Sequence, residues 1–248
     1  MNKIYVHILC IKLLVFVPAC SGKVARSENA PIVPEEISIS AVSPESMQAI
    51  HNAKEYVKNN PGIAEGYYHL GTASLGGGFI DEAAKAFIET IRINPDHAKA
   101  HNGLGVAHGK LNMYNEAIED FMQAVRVMPE YAEAHYNMGR AFEILDRPDA
   151  AITAYEKAIE ADNEFFAAHY NLGNVFIKRE NYVQAVVALK NAALLNPDDI
   201  MTHFNLGTAY AKSKNRGLAL EEYKILKSLD RQMADSLFDV IYESPDEK

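Results

Sequence analysis

Four histidines recur along the chain at intervals of 34 residues: His101, His135, His169 and His203. Histidine is the commonest metal ligand and a frequent proton carrier, so the row suggests a metal centre or a proton relay. The ligands of one zinc ion lie about 2.0–2.1 Å from it. Equivalent positions on stacked helices lie about 8–10 Å apart, so successive histidines of a helical array cannot share a metal. We therefore interpret them as helix-packing residues and expect no metal and no cofactor.

The same histidines also lead to an expectation about stability. If they are partly buried and neutral, the unfolded chain takes up protons more readily than the folded chain does. The free energy of unfolding would then fall near about pH 5.

Residues 103–110 (GLGVAHGK) superficially suggest a nucleotide-binding loop. The dinucleotide pattern requires glycine at the place of His108, and the P-loop requires glycine at the place of Leu104 and Ser or Thr at the place of Leu111. We therefore expect no nucleotide binding. The candidate Ser, His, Asp and Glu side chains all occupy repeated positions and form no catalytic set, so we expect no enzyme activity.

The elements that must position these side chains follow the same 34-residue period. A Leu-Gly or Met-Gly pair recurs with its glycine at Gly71, Gly105, Gly139, Gly173 and Gly207. Twelve residues after each glycine stands an alanine: Ala83, Ala117, Ala151, Ala185 and Ala219. Four residues further on stands a large ring or branched side chain: Phe87, Phe121, Tyr155, Leu189 and Tyr223. Several positions repeated on one period indicate a helical repeat array.

Each unit is predicted to hold two amphipathic helices, A and B, joined by a short polar turn such as 76–78, Asn112 or 146–147. A glycine costs helix A about 1 kcal/mol relative to alanine, so its recurrence implies close packing. We expect the alanines of helix B to form the other half of that contact, flanked by the ring series. A single hairpin cannot bury both of its faces, so the units must stack.

In their order and spacing, these residues and Pro95, Pro129 and Pro197 resemble the tetratricopeptide repeat over residues 64–233. The resemblance implies an all-α, right-handed α-solenoid of five hairpins, at 64–97, 98–131, 132–165, 166–199 and 200–233. Four residues depart from the pattern, and we expect looser geometry at those joints. They are Asn163 and Arg231 in place of proline, Thr90 in place of alanine and Ser74 in place of an aromatic residue.

Both ends of the array are predicted to be closed by a helix. At 43–63 we expect a partial leading repeat that acts as a cap helix, with Ser43 as its N-cap and Pro44 at its first position. At 234–248 we expect a C-terminal capping helix and tail. Three apolar residues are expected to cover the last unit: Leu237, Val240 and Ile241.

Asparagine and aromatic residues recur on helix A beside the repeated glycines. An asparagine offers a donor and an acceptor, so a row of them can hold the backbone of an extended peptide. The row resembles the tetratricopeptide region of O-linked N-acetylglucosamine transferases, particularly in AHYNLGNVF at 168–176, which implies a peptide-binding groove but no glycosyltransferase activity. The candidate partner-binding residues are Tyr68, Asn102, Tyr136, Asn137, Tyr170, Asn171, Asn174, Phe204 and Asn205. Alternatively, they are consensus residues of the repeat with no ligand.

The chain is accordingly predicted to be a protein-interaction scaffold that binds an extended peptide or a partner protein in its concave groove. Two alternatives are a self-associating structural component of an envelope assembly and a non-catalytic subunit of a separate enzyme. A net charge of −9 and a pI near 5.5 argue against nucleic-acid binding, which calls for a basic patch.

The first 20 residues have the pattern of an export signal. Their apolar run at 13–19 is shorter than the about 20 residues of a membrane-spanning helix. Val17-Pro18-Ala19-Cys20 resembles a bacterial lipobox, with Pro18 as a departure, and the resemblance implies lipidation of Cys20. An ordinary cleaved signal, an uncleaved anchor and a misassigned start are the alternatives.

The residues after Cys20 bear on where the chain is anchored. Residues 21–42 contain two prolines and show no helical period, so we interpret them as a flexible tether. By resemblance to lipoprotein sorting, Ser21 in place of aspartate implies an outer-membrane lipoprotein facing the periplasm. A soluble periplasmic or secreted protein is the alternative.

Overall fold

The structure, a computed structural model, describes residues 43–242. In that range the chain forms α-helices and no strands, and no helix is both long and apolar enough to cross a membrane. The helices are α1 (Pro44–Asn59), α2 (Ala64–Gly76), α3 (Ile80–Ile93), α4 (Ala98–Lys110), α5 (Tyr114–Val127), α6 (Ala132–Ile144), α7 (Pro148–Ala161), α8 (Phe166–Lys178), α9 (Tyr182–Leu195), α10 (Ile200–Lys212), α11 (Arg216–Leu229) and α12 (Arg231–Tyr242). The predicted signal at 1–20 with Cys20, the tether at 21–42 and the last residues, 243–248, lie outside the described residues.

Helices α2 to α11 form five hairpins that repeat every 34 residues. The A helices (α2, α4, α6, α8 and α10) each have 13 residues, and the B helices (α3, α5, α7, α9 and α11) each have 14. Each B helix packs on the A helix of its own hairpin and on the helix that follows, which is an A helix for the first four hairpins and α12 for the fifth. Neighbouring A helices also touch, as α4 does with α2 and α6, so the A helices lie on the inner side of the array. The predicted all-α solenoid of hairpins with a helix at each end is confirmed.

Every A helix ends in the same turn, in which the second residue after the helix adopts the left-handed conformation. The φ angle is 81° at Gly78, 61° at Asn112, 53° at Asp146, 56° at Glu180 and 64° at Lys214. The next amide donates to the carbonyl five residues earlier, as Met113 does to His108 at 2.9 Å, which is a Schellman motif. Left-handed backbone costs a residue other than glycine about 1–2 kcal/mol. Hairpin packing therefore imposes the turn on Glu180 and Lys214, whose residue types do not predict it.

The repeated glycine of each A helix makes room for a side chain of helix B. A β-carbon added at Gly71, Gly105 or Gly139 would lie 2.6 Å from a ring carbon of Phe87, Phe121 or Tyr155, respectively. At Gly173 it would lie 2.5 Å from Cγ of Leu189. The expectation that alanine forms the other half of this contact holds in part: the carbonyl oxygen of Ala117 lies 3.0 Å from the β-carbon added at Gly105, but the larger side chain is nearer in every case. The ring itself covers the glycine, while the alanine is buried in the same core cluster, as Ala151 is with Tyr155.

The fifth hairpin departs from this arrangement. The side chain nearest to Gly207 is Leu237 of α12, and Tyr223 of the ring series does not occupy that place. Leu237 and Ile241 are fully buried, with Val240 partly buried against the same cluster, which confirms the predicted cover. The closing helix thus supplies the contact that a B-helix ring supplies elsewhere.

At the other end, α1 begins as predicted. The Ser43 hydroxyl accepts a hydrogen bond from the amide of Ser46 at 3.2 Å, and Pro44 occupies the first turn. Ile50 is the buried residue of this helix and packs against Leu70 of α2. The first hairpin is therefore covered on its outer end by apolar contacts.

The loosening expected at departures from the repeat pattern is not observed. Helices α7 and α8, on either side of Asn163, have the same lengths as their counterparts. Thr90 is fully buried, and its hydroxyl donates to the carbonyl of Ala86 at 2.9 Å. Ser74 is fully buried without a hydrogen-bond partner for its hydroxyl in the described range. Arg231 opens α12, so the chain continues as a helix where proline would end the unit.

Replacing Gly139 by alanine tests the contact between glycine and ring. The new methyl group would overlap Tyr155, whose ring is held because its hydroxyl donates to Glu143 at 2.7 Å. We expect the free energy of unfolding to fall by about 1–3 kcal/mol, measured by urea denaturation. Gly217→Ala in α11 is the matched control, since nothing lies within 4 Å of the β-carbon added there. Its stability should be unchanged or higher, and equal losses in the two variants would contradict the packing role.

Candidate functional site

The four periodic histidines close the loops between hairpins. The Nε2 atom of each lies at hydrogen-bond distance from the backbone carbonyl six residues earlier: Pro95 at 2.9 Å, Pro129 at 2.8 Å, Asn163 at 3.1 Å and Pro197 at 2.8 Å. A carbonyl only accepts, so Nε2 donates in every case. All four side chains are buried, which confirms their interpretation as packing residues. Within residues 43–242, no group of three or more His, Cys, Asp or Glu side chains is placed to hold a metal ion.

His203 differs from the other three because a carboxylate faces its second ring nitrogen. Its Nδ1 lies 2.7 Å from Oε2 of Glu222 on α11. The hydrogen bond to Glu222 raises the pKa of His203 above its ordinary value of 6.5. Protonation therefore stabilises the folded chain at this position, and the expected loss of stability in acid is wrong in sign for His203. The equivalent residues beside His101, His135 and His169 are Asp120, Ala154 and Ala188.

The nine predicted partner-binding residues all lie on A helices and are all partly exposed. We call this set the inner row. Its members are Tyr68 on α2, Asn102 on α4, Tyr136 and Asn137 on α6, Tyr170, Asn171 and Asn174 on α8, and Phe204 and Asn205 on α10. The row thus runs through all five hairpins on the side where the A helices touch.

Hydrogen bonds connect the inner row from one hairpin to the next. The Nδ2 atom of Asn137 donates to Oδ1 of Asn102 at 3.1 Å. Asn171 donates to the Tyr136 hydroxyl at 3.2 Å, and Asn205 donates to Oδ1 of Asn174 at 2.8 Å. A longer contact of 3.3 Å joins Asn205 to the Tyr170 hydroxyl. In Asn137, Asn171 and Asn205 these bonds direct Nδ2 toward the preceding hairpin and so fix the position of Oδ1. The sequence did not predict this orientation.

A second layer of rings supports the row and was also missed from the sequence. His97, Tyr131 and Phe165 each precede an A helix and follow the 34-residue period. The ring of His97 lies 4.8 Å from that of Tyr68, and the ring of Phe165 lies 4.9 Å from that of Tyr136. The Tyr131 hydroxyl accepts from Asn102 at 3.4 Å. Their common period was the available signal, but their differing residue types concealed it.

The tyrosines of this region act as neutral hydroxyls. Burial raises the pKa of Tyr136 and of Tyr170 above the ordinary value of 10.0, and raises the pKa of Tyr131 to about 12. A neutral hydroxyl can donate one hydrogen bond and still accept others. Because Tyr136 and Tyr170 accept from asparagines, their protons stay available to an acceptor on a ligand.

The row also leaves acceptors for a ligand. Among the described residues, the Oδ1 atoms of Asn137, Asn171 and Asn205 take part in no hydrogen bond, while their Nδ2 atoms are engaged. The nearby charges are mixed. Arg140 lies over the Tyr136 ring at 5.9 Å, and Lys178 pairs with Glu143 at 2.7 Å. The arrangement can hold neutral, hydrogen-bonding groups and flat apolar groups side by side.

Comparison with protein families decides the classification. Profiles described as "Tetratricopeptide repeat" match residues 68–112 and 98–131, and one described as "TPR repeat" matches 147–178 and 173–214. The chain belongs to the tetratricopeptide-repeat family. It is therefore, in general terms, a protein-interaction scaffold. The absence of enzyme activity, of nucleic-acid binding and of nucleotide binding remains a prediction.

Solved structures share the fold. The MamA protein is 25% identical, with a TM-score of 0.62, over 69% of this chain and 94% of its own. YrrB, described as a TPR protein with an unusual peptide-binding site, is 19% identical, with a TM-score of 0.64, over 80% of this chain and 100% of its own. PilW, described as a widely conserved type IV pilus biogenesis factor, is 17% identical, with a TM-score of 0.66, over 78% of this chain and 91% of its own. A sequence comparison with curated proteins finds no significant match.

Replacing Glu222 by glutamine tests the pairing at His203. Because the folded pKa of His203 is raised, the pair contributes stability fully below the unfolded pKa and loses it as the pH rises through the folded pKa. We expect the difference in unfolding free energy between wild type and Glu222→Gln to be larger near about pH 6 than near about pH 9. Urea denaturation at the two pH values measures it.

The neighbouring variant Glu221→Gln is the control for this measurement. Glu221 is exposed and pairs with Lys224 at 2.8 Å on the surface, away from any histidine bond. Its effect should be small and the same at both pH values. A pH-independent effect of Glu222→Gln would contradict the assigned charge pairing.

Proposed function

We propose that this protein binds an extended segment of a partner protein along the inner row. One observation carries the proposal. The carbonyl oxygens of Asn137, Asn171 and Asn205 recur at one position in the third, fourth and fifth hairpins, are oriented by bonds between hairpins, and have no hydrogen-bond partner among the described residues. Groups held in place before binding lose little freedom when a ligand arrives, which favours affinity.

The spacing of these acceptors suits an extended backbone. Packed helices lie about 8–10 Å apart, and an extended chain rises about 3.3 Å per residue. One hairpin therefore corresponds to about three residues of ligand. Successive asparagines would accept from amides about three residues apart. Recognition of this kind depends on the ligand backbone and is tolerant of its sequence.

The aromatic members add apolar contact area to this polar ladder. Tyr68, Tyr136, Tyr170 and Phe204 are partly exposed beside the asparagines, so their ring faces can cover side chains of the ligand. YrrB, whose description names a peptide-binding site, shares the fold of this chain and supports the same use of a repeat array.

Replacing Asn137, Asn171 and Asn205 together by alanine tests the ladder. We expect peptides selected from a random library on the full-length wild-type chain to lose at least about tenfold in affinity, because each lost bond contributes about 0.5–1.5 kcal/mol. Fluorescence anisotropy with the selected peptides measures the change.

The matched control removes two of the bonds between hairpins but keeps the acceptors. Tyr136→Phe combined with Tyr170→Phe deletes the hydroxyls that Asn171 and Asn205 contact, while leaving every asparagine in place. This variant should lose less affinity than the triple alanine variant, because it keeps all three acceptors and gives up only two hydroxyls and the bonds that they receive. Equal binding by the wild type and the triple alanine variant would refute the asparagine ladder.

We further propose that the chain is anchored in the cell envelope through a lipid on Cys20, with 21–42 as tether and the outer membrane, facing the periplasm, as the location. The support is the lipobox-like sequence that ends at Cys20. The likeness of fold to PilW, described as a pilus biogenesis factor, agrees with an envelope location.

Replacing Cys20 by serine tests the anchor. In a bacterial host grown with labelled palmitate, the wild-type chain should carry label and sediment with membranes, whereas Cys20→Ser should be unlabelled and soluble. Cys10→Ser is the control, since Cys10 lies inside the predicted signal and should leave labelling intact. Label retained on Cys20→Ser, or lost equally in both variants, would rule out Cys20 as the anchor.

A further inference from the structure

Helix α9 presents an apolar stripe on the outer side of the array. Val183, Val187 and Leu194 are 70%, 61% and 77% exposed, and they are the three most exposed large apolar side chains among the described residues. Spacings of four and seven residues place them on one face of the helix, over about 17 Å of its length. Solvated apolar groups concentrated in this way mark a contact surface.

The other hairpins show that the fold does not need apolar residues here. The equivalent exposed residues are Asp81, Lys85 and Arg92 on α3, Asn115, Glu119 and Arg126 on α5, Asp149, Thr153 and Glu160 on α7, and Gly217, Glu221 and Ser228 on α11. None of these is apolar and large. The stripe is therefore a property of the fourth hairpin alone, separate from the packing that builds the array.

The charge of the chain indicates what covers the stripe. Helix α9 carries one charged residue, Lys190, and no carboxylate, whereas each of the other four B helices carries at least two carboxylates. Two copies that met on α3, α5 or α7 would bring together helices of net negative charge, and a contact on α11 would have to desolvate its five charged side chains. We propose that α9 is the contact of a two-fold symmetric dimer of this chain.

A two-fold contact uses the same patch on both copies, which suits a short self-complementary stripe. Lys190 lies on the stripe between Val187 and Leu194. Its aliphatic stem can cover the partner's apolar groups while its ammonium group stays in solvent at the edge of the contact. One helix offers less area than the roughly 1,600 Å² of a standard interface, so the dimer is weak and depends on concentration. Both inner rows remain open, which makes the pair bivalent.

Sedimentation velocity of the full-length chain under reducing conditions tests the proposal. With rising concentration, the weight-average mass of the wild type should climb from 27.5 kDa toward twice that value. The variant Val183→Asp, Val187→Glu, Leu194→Arg should stay at 27.5 kDa. Each new residue type is already present at the equivalent exposed position of another B helix, so the fold accommodates it. The equivalents of positions 183, 187 and 194 are Asp149, Glu119 and Arg126, respectively.

Thr153→Glu on α7 is the matched control. It makes the same net charge change at the position equivalent to Val187, and it should dimerise like the wild type. A wild type that stays monomeric, a triple variant with the same mass profile as the wild type, or dissociation by Thr153→Glu would each overturn the proposal. Circular dichroism checks folding, and Val187→Glu alone replaces the triple variant if that chain is unfolded.

Discussion

The whole array depends on one contact, in which a large side chain covers the repeated glycine of an A helix, and at Phe87 this contact reaches glycines of two A helices. Phe87 shows its extent. A β-carbon added at Gly71 of its own hairpin would lie 2.6 Å from a carbon of the Phe87 ring. A β-carbon added at Gly103 of the next hairpin would lie equally close to this ring, at 2.6 Å. One buried ring therefore closes a hairpin and joins it to its neighbour. Because a hairpin cannot bury such a ring by itself, stability arises only when neighbours stack.

The spacing of the hairpins is kept by two backbone devices that bracket this contact. A left-handed residue and its Schellman bonds end every A helix, and a buried histidine donates to the loop carbonyl before four of the five A helices. Both devices act on backbone groups, so they tolerate changes of residue type. Asn163 replaces proline without consequence because its carbonyl still accepts from His169. This explains why departures from the repeat pattern leave helix lengths unchanged.

Two surfaces of this regular scaffold carry residues that the packing of the array does not require. On the inner side, the asparagines and tyrosines hydrogen-bond from hairpin to hairpin, so the interface that holds the array together also orients the proposed ligand-binding groups. On the outer side, α9 alone replaces solvated residues by Val183, Val187 and Leu194. A scaffold with a groove on one face and a self-contact on the other could hold two extended partners at once.

By itself, the sequence determined the architecture and the general class of function. The recurrence of glycine, alanine, ring and proline predicts hairpins, their number and their stacking, because each residue type serves one steric need at one place. It also located the inner row, since helical spacing puts those positions on one face. Tertiary structure alone decided which partner each side chain finds. It placed the ring over the glycine and packed Leu237 against Gly207. It also paired His203 with Glu222 and joined asparagines of neighbouring hairpins by hydrogen bonds. These outcomes depend on distances between residues far apart in the chain, which local patterns do not encode.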